Sequence, residues 1–284
     1  MIQVDLRAVT QPVGIMRIMA TILTCVCFIL VAIAGQNPSS YWVWCMFTWC
    51  FCFFFTLLIL ILEFTTLSAK LPFAWDDFTT AFAMLAGLLC LTTSIIYPIF
   101  FTCHVCHHQI AASVVSWLCF GLYASQVVLT RLRPSGQISG FLSTLPGIMK
   151  MLETFLACLI FTSLEINHYT GSPGLQWCVA VYSLCFIFSI AIILLTTGQL
   201  ISFFPIPFDK VVVVYNILAA VMYTTAMVIW PLYSFRGNQR PNNCGRFCSW
   251  DKLVVITFMT IFNFIVYTLD AVYSLRIVFF ISNQ

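Results

Sequence analysis

Long apolar runs separated by short polar breaks set the pattern of this chain. A continuous apolar run of about 20 residues is what crosses the hydrocarbon core of a bilayer as a helix. Eight runs reach that length: 14–34, 44–67, 78–101, 109–130, 147–164, 175–197, 211–235 and 252–280. They do not alternate polar and apolar residues at period two, so the pattern is not that of a membrane β-barrel. The breaks carry turn chemistry. Gly35, Asn37 and Pro38 part the first two runs, and Pro72 precedes the third. Gly171, Pro173 and Gly174 part the fifth and sixth, and Pro205 and Pro207 the sixth and seventh. Connections this short predict neighbouring helices that run up and down.

The runs repeat. At an offset of 133 residues Gly14-Ile15-Met16-Arg17 matches Gly147-Ile148-Met149-Lys150, and Thr21, Leu23, Cys25 and Phe28 match Thr154, Leu156, Cys158 and Phe161. Trp44-Cys45 matches Trp177-Cys178, Cys52-Phe53 matches Cys185-Phe186, and Pro98 matches Pro231. Apolar composition alone aligns helices, but it does not place Gly, Trp, Cys and Pro together. The expectation is a duplicated unit: an all-α membrane protein with eight transmembrane helices in two tandem parallel four-helix units. Residues 1–134 form the first unit, 135–146 a linker and 147–284 the second. Four is an even number, so both units face the same way, related by an axis along the membrane normal rather than in its plane.

Composition agrees with the spans. The chain is 62% hydrophobic and 7% charged, against about 25% charged in a soluble domain. A net charge of +3 without a basic run gives no reason to expect a nucleic-acid partner. The first run lacks a small-residue cleavage site and reads as a helix that is kept. With the N-terminus cytosolic, eight of the 12 basic residues fall on the cytosolic side and four outside. The bias predicts that both termini are cytosolic.

The stretch Phe47-Thr48-Trp49-Cys50-Phe51-Cys52 after Trp44-Cys45, and the run from Pro146 to Phe161, resemble the myeloid-associated differentiation marker family. So do Ser94-Ile95-Ile96-Tyr97-Pro98, Trp230-Pro231-Leu232-Tyr233 and Pro205-Ile206-Pro207-Phe208. The resemblance spans nearly the whole chain. It implies two tandem MARVEL domains, each a four-helix membrane unit. It also implies a non-enzymatic scaffold of cholesterol-rich plasma-membrane domains, with influence on cell adhesion, spreading and cortical actin. The implied partners are membrane lipids, cholesterol among them, and other membrane or cortical proteins, with self-association open. No catalytic residue and no cofactor carries over.

Chemistry-bearing residues are few. Arg17, Glu63, Lys150, Glu153, Asp270 and Arg276 form a charged layer toward the cytosolic ends of the spans. Burying a charge at the centre of a span costs about 2.5–3.5 kcal/mol and less toward its ends, so each calls for a partner or a route to the interface. The structural reading is ion pairing and snorkelling; the functional one is a proton or ion path. Of 14 cysteines, ten fall within spans, where a thiol behaves as a small hydrophobe. Cys103, Cys106, Cys244 and Cys248 fall in outer loops, where disulfides form, and Cys244 with Cys248 is the preferred pair. The run Cys103-His104-Val105-Cys106-His107-His108 has the spacing of a haem attachment site and is rich in zinc ligands; a local thiol loop or disulfide is the plainer reading. Tyr41, Trp42, Trp44, Trp49 and Trp177 read as an interfacial aromatic belt, and Ala83 with Gly87 as a close-packing pair. The sequence holds no phosphate-binding loop, HExxH or GxSxG motif. The function expected is that of a membrane organiser. The alternative is a channel or transporter with a path between the repeats, which asks for polar helix faces.

Overall fold

Eight helices form wherever an apolar run is long enough. In the computed structural model, residues 10–37, 39–71, 75–103, 106–132, 144–197, 208–241 and 248–278 are described. Pro38, Pro72, Pro205, Pro207, His104, Cys244 and most of the expected linker lie outside them. Helices α1 (Pro12–Ala34), α2 (Ser40–Phe64), α3 (Trp75–Phe101) and α4 (His107–Leu132) come first, with a 3-10 turn at Leu67–Lys70. Helices α5 (Leu145–Ser163), α6 (Pro173–Thr197), α7 (Phe208–Phe235) and α8 (Ser249–Arg276) follow, with a short helical turn at Ile166–Tyr169. All eight are long and apolar enough to span a bilayer.

Local sequence sets the ends. Pro12 and Pro146 occupy the first turns of α1 and α5, where the missing N–H costs nothing. Ser39 starts α2 by accepting from the Tyr41 amide at 3.3 Å. It moves the start four residues ahead of the Trp44 expected from hydropathy, since a cap outranks the polarity of the first turn. Gly35 closes α1 at φ 102°, a left-handed conformation that favours glycine.

The chain divides into two units, residues 1–140 and 141–284. In the first, α4 packs against α1 and α3, and α2 closes the ring between α1 and α3. In the second, α8 packs against α5 and α7, and α6 lies between them. The offset of 133 residues holds for the starts of α1, α2 and α3 against α5, α6 and α7. It lengthens before the fourth helix, because 13 residues join Phe235 to Ser249 where five join Phe101 to His107. Equivalent hydrogen bonds fix the later register. Thr56 bonds Tyr123 at 2.7 Å in the first unit, and Ser189 bonds Tyr267 at 2.9 Å in the second. Trp49 bonds Ser116 as Tyr182 bonds Thr260. The fourth helices therefore correspond at an offset of 144.

The interiors explain two departures from expectation. Trp49 is fully buried, Trp44 and Tyr41 nearly so. Residues 41, 45, 48, 49, 52, 56 and 59 share the inward face of α2. Helical periodicity thus takes three of the expected belt aromatics into the core, and Trp177 remains exposed. The second departure concerns polarity. Thr48, Thr56, Thr93, Ser94, Ser189 and Asn216 are buried on α2, α3, α6 and α7, within runs that the sequence presents as long and apolar. Each small polar group is hidden inside a unit while large apolar side chains face outward. Ala83 and Gly87 lie on the buried face of α3, and a Cβ at Gly87 would sit 3.6 Å from Tyr123 Cβ, an ordinary contact at close helix approach.

Candidate functional site

The second unit holds a fully buried charged cluster. Lys150 lies one and a half turns into α5, and its Nζ donates to Glu153 Oε2 at 2.7 Å and Asn216 Oδ1 at 2.6 Å. It also lies 2.7 Å from Asp270 Oδ2. Three acceptors meet the three N–H groups of one ammonium. The rings of Tyr215 and Tyr267 stand 5.1 and 5.2 Å from the same nitrogen, a cation–π distance. Asp270 accepts in addition from Asn216 Nδ2 at 2.9 Å and Ser274 Oγ at 3.3 Å. Ser189 Oγ donates to Glu153 Oε2 at 3.1 Å. Glu153 Oε1 is buried without a hydrogen-bond partner among the described residues, as is Asn263 Oδ1. Asn263 Nδ2 donates to the Glu153 carbonyl at 3.3 Å and to Tyr223 Oη at 2.8 Å. All four helices of the unit contribute.

The first unit is built differently. Arg17 pairs with Glu63 on α2, and Trp75 Nε1 donates to the same carboxylate at 2.9 Å. Both side chains keep some exposure, 11% and 15%. Farther in, Ser116 accepts from Trp49 Nε1 and bonds Ser94 at 2.9 Å. Cys27, Cys52, Cys90 and Cys119 are all fully buried, one from each helix, with Cys52 and Cys90 sulfurs 4.0 Å apart. They pack as small hydrophobes, and among the described residues no group of three or more ligating side chains is placed to hold a metal.

Of the six residues expected in a charged layer, Lys150, Glu153 and Asp270 meet, Arg17 and Glu63 form a separate pair, and Arg276 is exposed at the end of α8. Lys150 does not snorkel. Its ammonium is held inside by Asp270 and Asn216, which sequence distance had hidden. Asn216, Ser189, Tyr215 and Tyr267 escaped the sequence reading, although Asn263, Tyr267, Asp270 and Ser274 are spaced by four, three and four along one stripe of α8. Cys103 and Cys106 form a disulfide with Cα atoms 5.1 Å apart, so their sulfurs are not available to haem or zinc. The expected Cys244–Cys248 pair includes a residue outside the described set.

A smaller pair joins α8 to the turn after α5. Glu165 accepts from Lys252 Nζ at 2.8 Å and from Ser249 Oγ at 3.2 Å. Burial pushes the Glu165 carboxyl up, but Lys252, Ser249 and His168 together outweigh it and leave it below the usual carboxylate range. A carboxyl that titrates lower in the folded state stabilises fully above its unfolded value, and that contribution is lost as pH falls through the folded one. Glu165→Gln is therefore expected to lower the melting temperature slightly at neutral pH, by less than about 1 kcal/mol for so exposed a pair. Melting curves of both proteins should converge as the buffer is acidified through the carboxyl range.

Eight spans, a duplicated four-helix unit and polar groups turned inward define a multi-pass membrane protein. The family model of the MARVEL membrane-associating domain matches residues 8–129 and again residues 141–273. The human myeloid-associated differentiation marker is 42% identical over 291 residues, covering 96% of this chain and 90% of that protein. A homolog from Xenopus laevis is 41% identical, covering 95% and 94%. Myeloid-associated differentiation marker-like protein 2 from Rattus norvegicus is 41% identical, covering 96% and 94%. No solved structure matches significantly. The chain belongs to the myeloid-associated differentiation marker family of MARVEL-domain proteins.

Proposed function

We propose that this protein is a non-enzymatic organiser of cholesterol-rich plasma-membrane domains, acting on adhesion, spreading and cortical actin through neighbours in the membrane. The observation that carries the reading is the division of surface from interior. Ile22, Phe54, Ile99, Leu118, Leu184, Val214 and Phe262 are among the large apolar side chains that face outward, while Lys150, Glu153 and Asp270, and hydroxyls such as those of Thr56, Ser94 and Ser189, meet polar partners inside a unit. Such a perimeter suits lateral association with lipids and other spans, where packing and lipid entropy decide the partner. On this reading both termini are cytosolic. The eight-to-four split of basic residues supports this, and so does the Cys103–Cys106 disulfide in the α3–α4 turn, because disulfides persist on the oxidising side.

Proximity labelling in living cells tests the reading, with an unrelated eight-span protein as control. Enrichment of junctional, actin-linked and raft-associated neighbours is expected, together with a change in lateral distribution after cholesterol depletion. A neighbour list equal to the control's would refute the organiser.

A further inference from the structure

The buried cluster of the second unit does not balance its charge. Lys150, Glu153 and Asp270 are each 0% exposed, so one ammonium faces two carboxyl groups away from bulk solvent. An unpaired carboxylate in a low-dielectric interior is costly enough that it takes up a proton instead. The groups facing the cluster come from every helix of the unit. They are Cys185 and Ser189 on α6, Tyr215, Asn216 and Tyr223 on α7, and Asn263, Tyr267, Asp270 and Ser274 on α8. Lys150 is the one cation that meets them among the described residues.

The hydrogen bonds distinguish the two carboxyl groups. Asp270 receives Lys150, Asn216 and Ser274, and donors aimed at a carboxylate favour its charged form. Glu153 receives Lys150 and Ser189 on one oxygen, and its other oxygen has no donor among the described residues. We propose that the second unit is a proton-binding site, with one proton held on Glu153 Oε1. The proton makes the cluster neutral, with Lys150 and Asp270 as its remaining ion pair. It also turns an orphaned acceptor into a donor, and the Asn263 amide that bonds the Glu153 backbone carbonyl carries a second unpartnered oxygen, Oδ1.

A metal cation does not fit the same place. Lys150 Nζ already lies 2.7 Å from both carboxyl groups, and neither cavity described in this unit is lined by Glu153 or Asp270. The site is also particular to one unit. Arg17 corresponds to Lys150, but Ala20 and Ala83 stand where Glu153 and Asn216 do, and Gln126 stands where Asp270 does. With no acid pair on that side, Arg17 turns to Glu63.

Infrared spectroscopy of the full-length protein in lipid nanodiscs at neutral pH tests the proposal. The carbonyl band of a protonated carboxylic acid is expected in the unmodified protein. It should be absent in Glu153→Gln and retained in Glu63→Gln. It should also be lost in Asp270→Asn, where Glu153 ionises to balance Lys150. Glu153→Gln copies the neutral acid and is expected to melt within a few degrees of the parent. No acid band in the parent, or a band that survives Glu153→Gln, would overturn the assignment. So would collapse of Glu153→Gln while Asp270→Asn folds. A melting temperature that climbs with sodium or potassium at constant ionic strength would overturn it as well, since a cation would then be supplying the missing charge.

Discussion

Replacing Lys150 with methionine is expected to destabilise the second unit by about 3–5 kcal/mol, the cost of breaking a buried ion pair by removing one member. The ammonium is fully buried and meets Glu153, Asp270 and Asn216 at once. Without it, Asp270 is left to Asn216 and Ser274, and the Asn216 carbonyl oxygen loses its donor. The same change at Arg17 should cost clearly less, because Arg17 and Glu63 keep contact with the surface at 11% and 15% exposure. Fluorescence-detected size exclusion after graded heating would rank the two variants. Adding Glu153→Gln and Asp270→Asn to Lys150→Met should recover most of the loss, since neutral partners of the same shape carry no uncompensated charge. Equal losses at Lys150 and Arg17 would mean that the buried cluster is no more tightly held than a surface pair.

Trp230→Ala is the second large effect expected, at about 3–5 kcal/mol for emptying a buried aromatic site. Trp230 is fully buried in the core cluster of the second unit. Its ring lies 6.1 Å from both Tyr182 and His168, and its Nε1 donates to the Leu253 carbonyl of α8 at 3.4 Å. The loss in a bilayer is of packing rather than of hydration, because lipid is as apolar as the core. Dispersion contacts around an empty site are not regained by a rigid four-helix ring. Trp177, 46% exposed on the outer face of α6, is the control. Its indole donates to Thr225 Oγ1 at 3.0 Å, so its replacement by alanine should cost about 1 kcal/mol, well below the loss at Trp230. Thermal unfolding of both variants in one detergent gives the comparison.

The sequence carried the eight spans, the duplication and the family because each is written in local or periodic terms. Gly14, Trp44, Cys52 and Pro98 recur at one spacing, and apolar runs need no partner to be seen. What could not be read was the direction in which a side chain faces. Trp49 and Trp177 look alike in the sequence, but one is inside and one outside, because the inward face of α2 runs through 45, 49 and 52. The charged residues were found and their company was not. Lys150 and Asp270 are 120 residues apart in the chain and 2.7 Å apart in space, and only the closing of α8 against α5 brings them together. Asn216 and Ser189 passed unnoticed because a single small polar residue in a span carries little weight until its neighbours are known.

The unequal links before the fourth helices are a natural experiment in tolerance. One unit closes its ring with five intervening residues and the other with 13, yet the tyrosine and hydroxyl contacts beyond the link recur in both. Each doubling in the length of a connection adds only about 0.6 kcal/mol of closure entropy, so a difference of this size is small beside the packing that holds the helix faces. An epitope inserted in the longer link between α7 and α8 is therefore expected to leave the packing of the second unit's helices in place.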